Sequence, residues 1–81
     1  MNSKRDTHNY TLYQGRRIVY HGITSDIDRR LAEHEADGKT FDRVTYSVKR
    51  TRDSARQHER EDLERYRRNH GGNLPKYNDI L

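Results

Sequence analysis

Glu59 stands in the middle of the one apolar stripe that the second half of this sequence offers. Ala55, Glu59, Leu63 and Tyr66 recur at i, i+4, i+8 and i+11, so a helix would set them on one face. A carboxylate on a buried stripe is costly unless it is ion-paired or bound to a metal. Earlier in the chain Ile27, Arg30, Leu31 and His34 fall at i, i+3, i+4 and i+7, which puts a guanidinium and an imidazole on a second inward face. Arg30 is then the obvious ion-pair partner for Glu59 if no metal takes it. The other histidines, His8, His21, His58 and His70, lack the i, i+4 pairing of a helical zinc motif and read as surface residues. No phosphate loop, nucleophile elbow or GxGxxG occurs. The runs Lys49-Arg50-Thr51-Arg52 and Arg65 to Arg68 are solvated faces that can also hold a phosphate backbone without selecting sequence.

The elements that must position these groups follow from local pattern. Asn9 to Tyr13 and Ile18 to Tyr20 are short β-branched or aromatic runs flanking Gln14-Gly15-Arg16-Arg17, which predicts a β-hairpin. Thr24 and Ser25 before Asp26-Ile27-Asp28 predict a helix start with a hydroxyl cap, and Gly38 predicts its stop. Phe41 to Lys49 alternates, so Val44, Tyr46 and Val48 should face inward on a half-buried strand. A second helix should start near Thr51 to Ser54 and run to about His70, before Gly71-Gly72. The tail, Leu74 to Asn78, is too rich in turn signals for a helix. The order is β-β-α-β-α, an α/β chain of the α+β kind with a small, three-stranded, mainly antiparallel sheet flanked by helices. Residues 1–8 are expected to be a disordered leader and residues 9–81 a single domain.

Composition bounds the class. The chain has 81 residues, 28% of them hydrophobic and 37% charged, near the balance at which chains stop folding. Six tyrosines and the regular patterning favour a fold around a thin core. With no cysteine, neither a disulfide nor a thiolate zinc site supports that core. The absence of cysteine and of any signal-like segment predicts an intracellular, cytoplasmic protein, and no run approaches the roughly 20 apolar residues of a membrane span. The formal charge of +4 favours a polyanionic partner, most simply nucleic acid.

The polar residues also line up with a family. Tyr20-His21-Gly22-Ile23-Thr24-Ser25-Asp26-Ile27-Asp28-Arg29-Arg30-Leu31-Ala32-Glu33-His34 resembles the second motif of the GIY-YIG endonucleases: a Tyr-x-Gly, a capped helix start, then an Arg and a His on the inner face. Asn9-Tyr10 occupies the place of the first motif, whose glycine and isoleucine are absent here. Ala55-Arg56-Gln57-His58-Glu59 is similar to the segment that carries the family's metal-binding glutamate. Pro75-Lys76-Tyr77-Asn78 resembles its closing Pro-x-x-Asn element. The likeness covers residues 9 to 78 with its parts in order. Tyr10 lies ten residues before Tyr20, the spacing of small members, and Tyr13 lies seven before it; Tyr10 is preferred and Tyr13 is the runner-up. His21 replaces a small apolar residue at the centre of the second motif.

The resemblance implies a metal-dependent endonuclease acting on duplex or branched DNA, with Tyr10, Tyr20, Arg30, His34, Glu59 and Asn78 as site residues. Glu59 would hold one magnesium (or manganese) ion. Arg30 would neutralise charge on the phosphoryl oxygens. Tyr10 and Tyr20 would orient or deprotonate water, which requires a phenol pKa lowered by nearby positive charge; His34 is the alternative base. Gly22, Thr24, Lys49 and Arg50 are expected to contact the substrate, and Asn78 to close the site from the tail. A chain this short would depend on DNA shape or a protein partner for specificity, and would act as a monomer or weak dimer. The rival reading is a nucleic-acid-binding module on the same scaffold without turnover.

Overall fold

A computed structural model describes residues 4–78. Strands β1 (His8–Gln14) and β2 (Arg17–Thr24) form the expected hairpin, followed by helix α1 (Ile27–Ala36), strand β3 (Arg43–Tyr46) and helix α2 (Arg52–Asn69). The three strands make one antiparallel sheet in the order β2-β1-β3. The α+β class and the β-β-α-β-α order are therefore as the periodicities predicted.

Register decides which side chains meet. Tyr10 pairs with Gly22 on β2 and with Tyr46 on β3, and Leu12 pairs with Tyr20 and Val44. Alternation puts these six on one face and Asn9, Thr11, His21, Ile23 and Thr45 on the other. Helix α1 covers the first face, packing Ile27 and Leu31 against a core of Tyr10, Leu12 and Val19. Helix α2 covers the second: the buried Asn9 side-chain amide donates to the carbonyl of Ala55 at 2.8 Å. The core is as small as the composition predicts, with Tyr20, Phe41, Val44 and Tyr77 only partly buried around it.

Several local expectations change. The cap of α1 is Asp26, whose carboxylate accepts from the Arg29 amide at 3.1 Å. Thr24, expected as the cap, uses its hydroxyl to close the turn, accepting from the Asp26 amide and donating to the Asp26 carbonyl. Gly38 does end α1: at φ 82° its amide reaches the Glu35 carbonyl, and the Lys39 amide reaches that of His34. This is a Schellman closure, which needs the left-handed residue that glycine supplies.

Strand β3 is shorter than the alternation of residues 41–49 predicts. Only Val44 is partly covered, whereas Tyr46 and Val48 are 63% and 76% exposed. The strand is at the sheet's edge and the helices spend their apolar residues elsewhere, so an alternating pattern finds nothing to face. Thr7 and His8, expected in the disordered leader, are built into the sheet. Thr7 is buried and exchanges backbone hydrogen bonds with Arg50 (3.0 and 2.7 Å), and His8 already belongs to β1; residues 1–3 lie outside the described residues. The tail straps the outer edge of β2, with the Tyr77 amide donating to the Val19 carbonyl at 2.8 Å. Among the described residues no helix is long and apolar enough to cross a membrane.

Candidate active site

Three elements bring their polar residues to one point on the α1 face. From β1 the Tyr10 hydroxyl meets His34 Nε2 of α1 at 2.6 Å. Arg30, one turn earlier on α1, donates from Nε to the same hydroxyl at 3.4 Å. From β2 the Tyr20 ring lies against both, with centroids 5.8 Å from Tyr10 and 4.8 Å, edge-on, from His34. The Arg30 guanidinium also pairs with Glu33 at 3.1 Å. Arg30 and His34, named from helical spacing, and Tyr10 and Tyr20, named from the family resemblance, thus form one cluster, and Tyr13 lies outside it with its ring under the Arg43 guanidinium. Parity along β1 explains this, since Tyr10 and Tyr13 leave the strand on opposite sides.

Gly22 is the hinge of the packing. It pairs directly with Tyr10, and a Cβ built there would lie 2.6 Å from Tyr20 Cε2 and 2.7 Å from Tyr10 Cζ and Oη. The glycine is the space the two phenol rings occupy. Asn78 acts on the same stretch from outside. Its side-chain oxygen accepts from the His21 amide at 2.8 Å and its amide donates to the His21 carbonyl at 2.9 Å. It copies a neighbouring strand and holds the peptide between Tyr20 and Gly22 at an otherwise open edge.

The electrostatics of the cluster differ from the expected lowering of a phenol pKa. Burial raises the Tyr10 pKa, and the opposing pull of Arg30 is smaller. Tyr10 therefore stays protonated at neutral pH and keeps a proton to donate. Burial lowers the His34 pKa, helped by Lys39 and Arg30, so His34 is a neutral imidazole that can accept it. The Tyr10 Oη to His34 Nε2 bond leaves the other ring nitrogen, Nδ1, with whichever proton the tautomer assigns it. That Nδ1 is buried without a partner among the described residues. The Arg30 pKa is raised, first by its bond to Tyr10, so the guanidinium is permanently charged. The result is a buried Tyr10–His34 hydrogen bond that anchors the Arg30 guanidinium at the edge of the cluster. Tyr10 and His34 are only 2% and 3% exposed; the groups left for a ligand to touch are Tyr20 and Arg30, both half-buried.

Other predicted residues are elsewhere. Glu59 is half-buried on α2, on the far side of the sheet from α1, and makes no hydrogen bond or ion pair among the described residues. Arg30, its expected partner, is committed to Tyr10 and Glu33. Burial raises the Glu59 pKa, tempered by Arg56 and increased by Asp62. Arg50 is also on the α2 side, where Nη1 donates to Asn9 Oδ1 at 3.1 Å and helps hold α2 to the sheet. Lys49 is exposed. Thr24 lines a cleft of about 300 Å³ beside the cluster, with Ser25, Arg29, Arg30, Glu33 and Arg52.

Among the described residues, sequence reasoning missed three buried polar side chains: Thr7, described above, Asn9 and His21. Asn9 bridges Arg50 and Ala55. His21, expected at the surface, is buried with its Nδ1 bonded to the Thr11 hydroxyl at 2.9 Å. Its place beside Tyr20 on a strand was the signal, because neighbours on a strand inside a two-helix sandwich face two different helices. Among the described residues no group of three or more metal-ligating side chains converges. Compared with protein-family models, with curated proteins and with solved structures, the chain matches none, so any functional reading rests on the motif order and on this geometry.

Proposed function

We propose that this chain is a GIY-YIG-type endonuclease that hydrolyses DNA phosphodiester bonds with a divalent metal ion, magnesium or manganese. The observation that carries the reading is the convergence of Tyr10, Tyr20, Arg30 and His34 from three elements over Gly22, in the order that the family resemblance assigns them. Such a site must hold a phosphate, orient water and take up a proton. Arg30 and Tyr20 face the substrate. Arg30 neutralises charge on the phosphoryl oxygens with a guanidinium already fixed by Tyr10 and Glu33. Tyr20 orients the attacking water. Behind them, buried Tyr10 and His34 hold Arg30 and Tyr20 in place through their hydrogen bonds and ring contacts.

The metal has a fitting donor in Glu59, a hard, half-buried carboxylate with no ion pair, which is the type of single ligand that hydrated magnesium accepts. When bound, the ion would supply Lewis-acid polarisation to a phosphate within reach of Glu59. The residues do the remaining positioning, with Asn78 holding the β2 edge behind Tyr20.

The separation of Glu59 from the cluster favours a second reading, a nucleic-acid-binding module on the same scaffold. Incubation of the protein with supercoiled plasmid, with magnesium or with chelator, separates the two. The expected result is metal-dependent nicking that Glu59→Gln reduces by at least about a hundredfold, of order 3 kcal/mol in the barrier, while DNA binding persists. Binding without nicking in any divalent metal favours the module. Nicking by Glu59→Gln at the wild-type rate removes Glu59 as the ligand.

A further inference from the structure

Apart from Arg30, and Glu33 that helps to fix it, the cleft beside the cluster is lined by residues that the proposed chemistry does not use. Its floor is the β2–α1 turn, Ile23 to Asp26. One wall is the first turns of α1, carrying Arg29, Arg30 and Glu33, and the other is Arg52, the first residue of α2. Two of its polar groups are already occupied: the Thr24 hydroxyl closes the turn, and the Asp26 carboxylate caps α1. Glu33 is shared by Arg29 at 3.7 Å and Arg30 at 3.1 Å, one carboxylate between two guanidiniums. Formal charges are three positive (Arg29, Arg30, Arg52) against two negative (Asp26, Glu33), so the cleft keeps a net positive charge.

Arg52 makes no ion pair or hydrogen bond among the described residues and is exposed. Its position also works against its own helix. A cation at a helix N-terminus is opposed by the macrodipole, so Arg52 does not serve α2. Arg30 lines this cleft and also touches the Tyr10 hydroxyl, which makes cleft and cluster one continuous surface.

We infer that this cleft is a phosphodiester-binding subsite, in which Arg52 and Arg29 clamp the backbone phosphate next to the one held at Arg30. Its ligand is the sugar–phosphate backbone of a nucleic acid, contacted through charge and without base readout. The inference rests on the endonuclease reading only in naming the neighbouring phosphate as the one cut; the binding itself stands apart from turnover.

The test is equilibrium binding of a short fluorescein-labelled DNA duplex to the full chain in chelator, by anisotropy, across about 0.05 to 0.2 M salt. Arg52→Ala should weaken binding roughly three- to tenfold and reduce the slope of log K against log salt by about 0.9, one phosphate's worth. Arg52→Lys should restore most of the slope. Arg16→Ala, in the β1–β2 turn at the other end of the sheet, should match wild type in slope. Thermal melts of Arg52→Ala should equal or exceed wild type, because a cation leaves the helix N-terminus. An Arg52→Ala slope equal to that of Arg16→Ala overturns the subsite, and so does wild-type protein that does not bind the duplex. If the Arg52 effect holds but wild type nicks no plasmid in magnesium, the endonuclease reading fails and the subsite stands.

Discussion

The tightest constraint at the level of single residues is Gly22. Alanine there would bring a methyl within 2.7 Å of both phenol rings, and overpacking of this kind costs about 1–3 kcal/mol. Gly22→Ala should therefore lower the denaturant midpoint and also disperse the cluster. A near-ultraviolet tyrosine signal unchanged from wild type would show that the rings are not held as described. Glycine's role was readable in outline, since a Tyr-x-Gly on a strand suggests a close approach. What approaches was not readable: the sequence pattern allows a ligand, and the fold puts Tyr10 there. The same limit applies to the pKa of Tyr10. Its neighbour Arg30 could be named from helical spacing, but the burial that outweighs Arg30 depends on α1 covering that face of the sheet.

The elements were mostly legible because their signals are local. Periodicity, the glycine stop of α1 and the hairpin turn all act within a few residues, and both helices end close to where these signals predict. The failures fall where an element's extent depends on its neighbours. The alternation through Val44, Tyr46 and Val48 would bury a face only if a helix reached over this edge; Val44 is partly covered, and Tyr46 and Val48 are not. The tail looked like a loop and is one, yet it serves as a fourth strand for three hydrogen bonds, one from the Tyr77 amide to Val19 and two between the Asn78 side chain and His21. Asn78→Ala should cost about 1–3 kcal/mol by leaving the His21 peptide unpaired. Hydrogen exchange at the His21 amide is the direct measurement: faster exchange is expected there, and an unchanged rate would mean that the strap does not hold β2.

Across the whole molecule, stability should depend on pH through its two buried histidines. The folded-state pKa is lowered for His34, by burial with Lys39 and Arg30 against Asp37 and Glu33, and for His21, by burial with Arg65 against Asp62. A lowered histidine pKa means that the unfolded chain binds the proton more readily. Stability is then full above the ordinary histidine value of about 6.5 and falls as pH drops below it. Thermal midpoints measured from pH 7.5 to about 5 should fall, and the double variant His21→Gln, His34→Gln should flatten the profile. A wild-type profile level over that range would contradict the burial of these rings. Glu59 has the opposite sign: its raised pKa means that the ionised form costs stability near neutral pH, so Glu59→Gln should melt no lower than wild type while losing metal-dependent cutting.

The sequence by itself determined the α+β class, the order of the elements and the shared helical face of Arg30 and His34; Tyr10 and Tyr20 were named by the family resemblance alone. It could do so because strand and helix periods decide which face a residue takes, and hydrogen bonds within an element decide where it ends. Only the tertiary structure decided which faces meet. It set α1 and α2 on opposite sides of the sheet, which joined His34 and Arg30 to Tyr10, turned Arg50 into a support for α2 and kept Glu59 apart from the cluster. Those outcomes depend on contacts between residues 20 or more positions apart, such as Tyr10 with His34 and Asn9 with Ala55, and no local period encodes the packing that brings such residues together.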